Sequence, residues 1–284
     1  MAGLLYLCPT PIGNLSDISK RVLSTLNEVD LIAAEDTRNS MKLMNAFDIH
    51  VPMTSYHEYN KTQKAYELID RLKEGKNIAL ITDAGTPGIS DPGEVLVRMC
   101  HDEGITVTSL PGPCACIVAL TLSGLPTRRF CFEGFLPADK KERNEVLEDL
   151  KKEYRTIVLY EAPHHLKNTL SELKSVLGGD RKAALCRELT KKFEEVMRFT
   201  LSEACEYYDA KEPKGEYVLV IEGIDRNAEK EESKKSWMEI SVREHMQHYL
   251  DSGIDKKEAM KKVAKDRGIP KNEVYRELLS EDMN

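Results

Sequence analysis

Four short apolar runs dominate the first 125 residues, at 3–8, 30–34, 78–82 and 105–110. Each stops abruptly in a loop rich in glycine, proline or charge. Between them, 18–29, 37–47, 61–74 and 94–103 carry apolar residues at helical spacing, such as Val22, Leu23 and Leu26, or Leu68, Ile69 and Leu72. Strand, helix, strand in alternation predicts a parallel sheet covered by helices, because parallel neighbours need a long crossover. In such a sheet the loops after the strands lie on one edge, where open α/β sheets bind small ligands.

The loop after the third run is the most elaborate. It reads TDAGTPGISDPG over 82–93 and carries Asp83, Thr86, Ser90 and Asp91. Gly85 and Gly88 let backbone approach a ligand closely, while Pro87 and Pro92 stiffen the loop and lower the entropy lost on binding. The first run leads into Pro9, Thr10, Pro11, Ile12, Gly13 and Asn14. The second leads into Glu35, Asp36, Thr37 and Arg38. The fourth leads into Pro111, Gly112 and Pro113, with a helix starting at Cys114.

From about 127 to 224 a second α/β pattern follows. Strands are expected at 130–133, 156–160, 182–187, 194–200 and 217–222, with helices at 140–153, 165–177 and 202–208. The short connection between the last two strands predicts antiparallel or mixed pairing. The segment 225–237 opens with DRNAEKEESKK, almost free of apolar residues, and reads as a solvated linker. Helical periodicity returns in 238–284: a helix at 256–265, a turn at Gly268 and a second helix at 271–279. Ala264 and Val274 are placed for two crossing helices, a helix-turn-helix-like layout, with a plain helical hairpin as the alternative. Residues 256–276 of this pair carry eight basic residues (Lys256, Lys257, Lys261, Lys262, Lys265, Arg267, Lys271, Arg276) against three acidic ones.

That local excess matters because the whole chain of 284 residues has a formal net charge of −7. No global field draws it to nucleic acid, so RNA contact must come from local basic patches. The seven cysteines, an odd number at irregular spacing, predict reduced thiols in a cytosol rather than a disulfide framework. No export signal is expected in MAGLLYLCPT, which lacks a basic start. The uncharged stretch 105–127 is long enough to span a bilayer, but Pro111, Gly112, Pro113, Gly124 and Pro126 would break it, so no membrane span is expected. GxGxxG, GxxxxGK[ST], HExxH and paired CxxC motifs are absent, which argues against nicotinamide, nucleoside triphosphate and zinc chemistry; no metal is expected.

Polar residues near the strand ends supply candidates for catalysis. Glu35 and Asp36 can provide a carboxylate base and Arg38 can grip a phosphate. Asp36 and Thr37 are equally natural helix caps. His57, beside Glu58, is a second base candidate. The residues by themselves do not choose among them.

The motifs PTPIGNLSDIS (9–19), AAEDTR (33–38), SYHEYN (55–60), TDAGTPGISDPG (82–93), PGPCA (111–115), GFLP (134–137), YEAPHHL (160–166) and RELTKKFEE (187–195) occur in order. Together they resemble the S-adenosylmethionine-dependent tetrapyrrole-methylase-like family, and within it the members that methylate small-subunit ribosomal RNA. The resemblance spans nearly the whole chain. It implies two α/β domains, 1–125 and 126–224, with the cofactor S-adenosylmethionine in the cleft between them, and 2′-O-methylation of a cytidine in 16S ribosomal RNA.

By this resemblance Asp83, Gly85, Thr86, Pro87, Ile89 and Ser90 line the donor's methionine portion and ribose, with Pro11 beneath. Cys114 and Ala115 meet the same ligand at a helix start, and Leu185, Gly215 and Glu216 close over the adenine. Asn14 and Asp17 would orient the substrate ribose. Tyr160, Glu161 and His164 would line the same cleft, where His164 would contact RNA. Arg187, Lys191 and the helical lysines Lys261, Lys265 and Lys271 would contact RNA. The chain departs from the family at Cys114, where serine or threonine is usual, and at His165, where arginine is usual. The implied partners are the ribosomal RNA or the 30S particle and a second copy of the chain. Two other readings are a tetrapyrrole methylase of the same fold and a non-catalytic protein that binds cofactor or RNA.

Overall fold

The computed structural model describes residues 2–225 and 237–281, without the side chains of 279–281. Two compact units result, Met1–Glu222 and Gly223–Asn284.

The first unit holds two five-stranded sheets. In the first sheet, β1 (Leu5–Leu7), β2 (Leu31–Ala34), β3 (Met53–Ser55), β4 (Ile78–Ile81) and β5 (Val107–Ser109) lie in the order β3-β2-β4-β1-β5. Every pairing is parallel. The βαβ pattern thus produces the sheet it predicts. β3 is an addition: MTS is short, and only its place on the edge beside β2 makes it a strand.

β2 and β4 are buried along their whole length, as central parallel strands covered on both faces must be. Helices α1 (Lys20–Glu28) and α2 (Thr37–Ala46) cover one face, burying Val22, Leu26 and Met44 against Ile32, Ala34, Ala79 and Ile81. Helices α3 (Lys61–Lys73) and α4 (Gly93–Asp102) cover the other, through Leu68, Ile69, Leu72 and Leu96.

The second sheet is mixed. β6 (Phe130–Phe135), β7 (Thr156–Glu161), β8 (Lys182–Arg187), β9 (Glu195–Thr200) and β10 (Tyr217–Ile221) take the order β6-β7-β10-β8-β9. β6 and β7 are parallel, and β10 runs antiparallel to β7 and β8. The last two strands in sequence are not neighbours. Each pairs antiparallel with β8, which lies between them, and α8 (Leu201–Asp209) connects them.

Leucines of α6 (Lys140–Leu150) and α7 (Leu166–Leu177), with Leu201, Ala204 and Tyr208 of α8, pack on one face of this sheet. The other face receives α5 (Ala115–Ser123) through Cys116, Ala119 and Leu120, together with Ile12 from the loop after β1. α5 starts at the end of β5 and lies on the second sheet, so it joins the two layers.

The second unit has its own core. α9 (Val242–Asp251), α10 (Lys256–Arg267) and α11 (Lys271–Glu281) bury Val242, Met246, Ala259, Val263, Ala264 and Val274 together. Gly268 ends α10 in the left-handed conformation at φ 64°, which glycine adopts without a Cβ clash. Ala264 and Val274 meet in this core, as their spacing predicts. Arg267 departs from expectation. It is buried and donates to the carbonyls of Ile240 and Ser241 and to His245 Nδ1, so it is spent on the fold rather than offered to phosphate. The charged segment 225–237 falls almost wholly on 226–236, outside the described residues.

Candidate active site

The strand-end loops of the first sheet are pinned to one another. Thr10 and Gly85 exchange backbone hydrogen bonds of 2.9 and 3.1 Å, tying the loop after β1 to the loop after β4. Thr10 Oγ1 donates to the Thr82 carbonyl at 3.1 Å, and Thr86 Oγ1 to the Pro113 carbonyl at 2.8 Å. Asp91 holds the long loop from within. Its carboxylate accepts N–H groups of Gly88, Ile89 and Gly93 at 2.7–3.1 Å. Glycine is required at 93, since a Cβ there would stand 2.7 Å from Asp91 Oδ1 and 2.9 Å from the Gly88 nitrogen.

The second sheet closes in from the opposite side. β6 shifts register between Phe132 and Gly134, and Gly134 sits at φ 63°. A Cβ there would lie 2.7 Å from Ser90 Oγ, so the bulge leaves room for the 82–93 loop.

Between these walls lies a cavity of about 560 Å³. Asp83, Gly85, Thr86, Ile89, Ser90, Cys114, Ala115 and Glu216 all line it, as does Glu35 from the end of β2. The other expected residues sit elsewhere. Pro11 and Gly215 lie outside the lining, and Pro87 is buried. Leu185 is fully buried and points into the leucine layer of α6 and α7. Its neighbour Cys186 faces the cavity instead. Side chains alternate along β8, so a step of one residue changes the face.

Tyr160, Glu161, Phe135, Asp91, Thr82 and Val218 also line the cavity. Tyr160 and Glu161 are in the YEAPHHL motif, and Asp91 lies in the loop already singled out. Phe135 lies in the GFLP motif, whereas Val218 carries no sequence signal beyond its strand. Tyr160 accepts the N–H of Cys116 at 3.2 Å and so braces the start of α5. Glu161 is buried, bonded to the Ala162 N–H and the Thr169 hydroxyl, and Thr169 in turn accepts from Arg143 at 2.8 Å.

The catalytic candidates separate clearly. Asp36 caps α2, accepting the Arg38 N–H at 2.8 Å and both guanidinium contacts of Arg38. This pairing holds its carboxyl down to about 2, which leaves a weak base. The Arg38 side chain is 89% exposed beyond the cap. Glu35 is half-buried and its carboxyl lies above the ordinary 4.5. Burial is the main cause, and the charges of Asp83 and Asp91 add to it against the Asp83 N–H, which donates to Glu35 at 3.3 Å. Asp83 completes a reciprocal clamp by accepting the Asp36 N–H at 3.3 Å. His57 lies after β3; its N–H donates to Asn60 at 2.8 Å, and its ring Nδ1 is buried without a hydrogen-bond partner among the described residues.

The expected RNA contacts also sort by partner. Lys191 reaches Glu188 at 2.9 Å and Glu216 at 2.7 Å on the cavity rim. Arg187 donates to the Lys214 carbonyl at 2.6 Å and pairs with Glu195 at 3.3 Å. Asn14 caps the turn holding the exposed Asp17, and exposed His164 packs on His165 at 4.1 Å. On α10, Lys261 and Lys265 are exposed and four residues apart, on one face with exposed Lys257; Lys271, at the start of α11, is half-exposed.

Residues 4–205 match the family model of the Tetrapyrrole (Corrin/Porphyrin) Methylases. A relative from Bacillus subtilis, called ribosomal RNA small subunit methyltransferase I, is 49% identical over 273 residues, covering 96% of this chain and 93% of its own. The chain belongs to the tetrapyrrole methylase family. Within it, this methylase groups with the ribosomal RNA small subunit methyltransferases I; the relative from Escherichia coli O157:H7 is 43% identical over 281 residues, 98% of this chain and 96% of its own. The fold agrees. A crystal structure of diphthine synthase covers 78% of this methylase and 90% of its own chain at a TM-score of 0.63 and 15% identity.

Proposed function

We propose that this methylase binds S-adenosylmethionine in the cavity and transfers its methyl group to the 2′-hydroxyl of a cytidine in small-subunit ribosomal RNA. The observation that carries the reading is the cavity itself. Pinned glycine loops from the first sheet form one wall, and Glu35, the one base candidate with a raised carboxyl, stands in it. Nearly full-length identity to ribosomal RNA methyltransferases supports the substrate class.

The residues present suit the donor. Gly85, at φ 87°, brings bare backbone to the cavity, and the start of α5 offers helix N–H groups to a carboxylate. Glu35, Asp83, Asp91, Glu161 and Glu216 give the lining an acidic character that complements a sulfonium. When bound, the donor supplies an electrophilic methyl group. The loops fix its pose, the walls exclude water, and Glu35 accepts the ribose hydroxyl proton as the new bond forms. Arg38, held by Asp36, meets the phosphate backbone beside it.

The body, 1–125 with 126–224, performs the transfer, and 238–284 grips RNA through the Lys257, Lys261 and Lys265 face. The enzyme works in the cytoplasm on naked RNA or the 30S particle, as a homodimer. The test supplies labelled donor together with immature small subunits, free RNA or a tetrapyrrole precursor. Label on a cytidine 2′-oxygen is the expected result. Label on a macrocycle carbon, or no transfer to any acceptor, would overturn it. Light scattering on the purified chain reads the dimer.

A further inference from the structure

Cys114 and Cys116 bring their sulfur atoms to 3.4 Å at the start of α5. Cys114 is half-buried and lines the cavity, so a small solute in the cavity reaches it; Cys116 is buried behind it. Only Ala115 separates them, and Ala115 also lines the cavity. We propose that this pair is an oxidisable dithiol: hydrogen peroxide entering the cavity converts it to a Cys114–Cys116 disulfide, which deforms the cavity wall and blocks ligand binding.

The chemistry suits the geometry. The Cys116 thiol beside it, aided by the amides at the start of α5 and opposed by burial, holds the Cys114 thiol down to about 6. Cys114 is therefore the nucleophile and Cys116, whose proton is held more tightly, the resolving thiol. The Cys114 thiolate attacks the peroxide O–O bond, takes one oxygen as sulfenic acid and releases the other as hydroxide, which leaves as water. Cys116 sulfur then attacks Cys114 sulfur. The S–O bond breaks, and the departing hydroxide leaves as water with the Cys116 proton. Two thiols and one peroxide give one disulfide and two waters.

The other thiols are poor competitors. Burial pushes Cys8 and Cys186 up to about 12 and Cys100 and Cys131 up to about 11. Cys205 is half-buried and is also raised by burial.

Closing the sulfurs from 3.4 Å to the ~2.05 Å of a disulfide draws the Cys114 and Cys116 side chains together and pulls on the first turn of α5. That turn holds the Cys116 N–H bond to Tyr160 at 3.2 Å, and Tyr160 is a cavity wall. The effect on binding rests on the cofactor site proposed above; bond formation does not, so the two are read separately.

The full-length protein is treated with hydrogen peroxide in steps, and fragmentation mass spectrometry follows each cysteine. A Cys114–Cys116 cross-link should appear before any change at Cys205 and reverse with dithiothreitol. S-adenosylhomocysteine should slow its formation. Calorimetry should show binding of that ligand to the oxidised protein weakened by at least about tenfold, about 1.4 kcal/mol. In Cys116→Ser no cross-link should form, and Cys114 should proceed to sulfinic acid. Earlier oxidation of Cys205, or sulfinic acid at Cys114 in the unaltered protein without a cross-link, overturns the proposal. A cross-link that leaves ligand affinity unchanged overturns its control of the cavity. If the reduced protein takes up no S-adenosylhomocysteine, the cofactor reading fails while the cross-link result still stands on its own.

Discussion

At the residue scale, environment divides labour between two adjacent carboxylates. Asp36 is consumed by Arg38 and the α2 cap, whereas Glu35 keeps a raised carboxyl in the cavity wall. Methyl transfer should therefore lose rate as pH falls through the Glu35 value, with the acid limb above the ordinary 4.5. Glu35→Gln should remove that limb and lower kcat by roughly 10²–10⁴, with donor affinity little changed. A pH–rate profile at saturating donor checks this; an unchanged limb would move the role to His57. Asp91 has a different task, since its carboxylate replaces three missing backbone partners in the 82–93 loop. Asp91→Ala should cost about 2–4 kcal/mol in urea denaturation and abolish measurable ligand binding.

At the element scale, the bulge in β6 decides whether the second sheet can approach the loop of the first. Gly134→Ala places a Cβ at φ 63° and 2.7 Å from Ser90 Oγ. We expect a loss of about 1–3 kcal/mol from backbone strain and contact together. Adding Ser90→Gly should restore part of it, because that change removes the clash and relieves the positive φ of Ser90, 60°. Denaturation midpoints of the single and double variants would show no rescue if the close approach were unimportant. The same scale explains the Leu185 outcome. Period-two alternation makes one residue of each neighbouring pair a cavity residue and the other a core residue. Both Leu185 and Cys186 are apolar enough for either face, so only the packing of α6 and α7 assigns them.

At the scale of the whole molecule, two cores imply two stability readouts. The single tryptophan, Trp237, stacks on buried His245 at 3.8 Å in the C-terminal unit. Burial, with the charge of Arg267, lowers the His245 value below 6.5, partly offset by Asp266. Protonation is thus penalised in the folded state. Stability of this unit should hold above about pH 6.5 and decline as pH falls below it towards the folded value. Tryptophan fluorescence during urea titrations at several pH values reads this directly, and a flat dependence would contradict it. Removing 223–284 should leave donor binding within about twofold while RNA methylation falls at least about tenfold, as expected when several lysine–phosphate contacts are lost. Parallel binding and transfer assays separate the two.

The periodicity of apolar runs by itself determined the parallel sheet, its covering helices and the loops on its edge, because burial on both faces demands continuous apolar strands. The lysine-rich helix pair, with its turn at Gly268, was equally legible. Only the tertiary structure decided that β8 separates the last two strands, that Cys186 rather than Leu185 meets the cavity, and that Arg267 is buried. It alone decided that Lys191 and Arg187 are paired with carboxylates. These depend on which distant residues become neighbours. Local pattern carries the face and type of an element, whereas partner choice is set by packing between segments far apart in the chain.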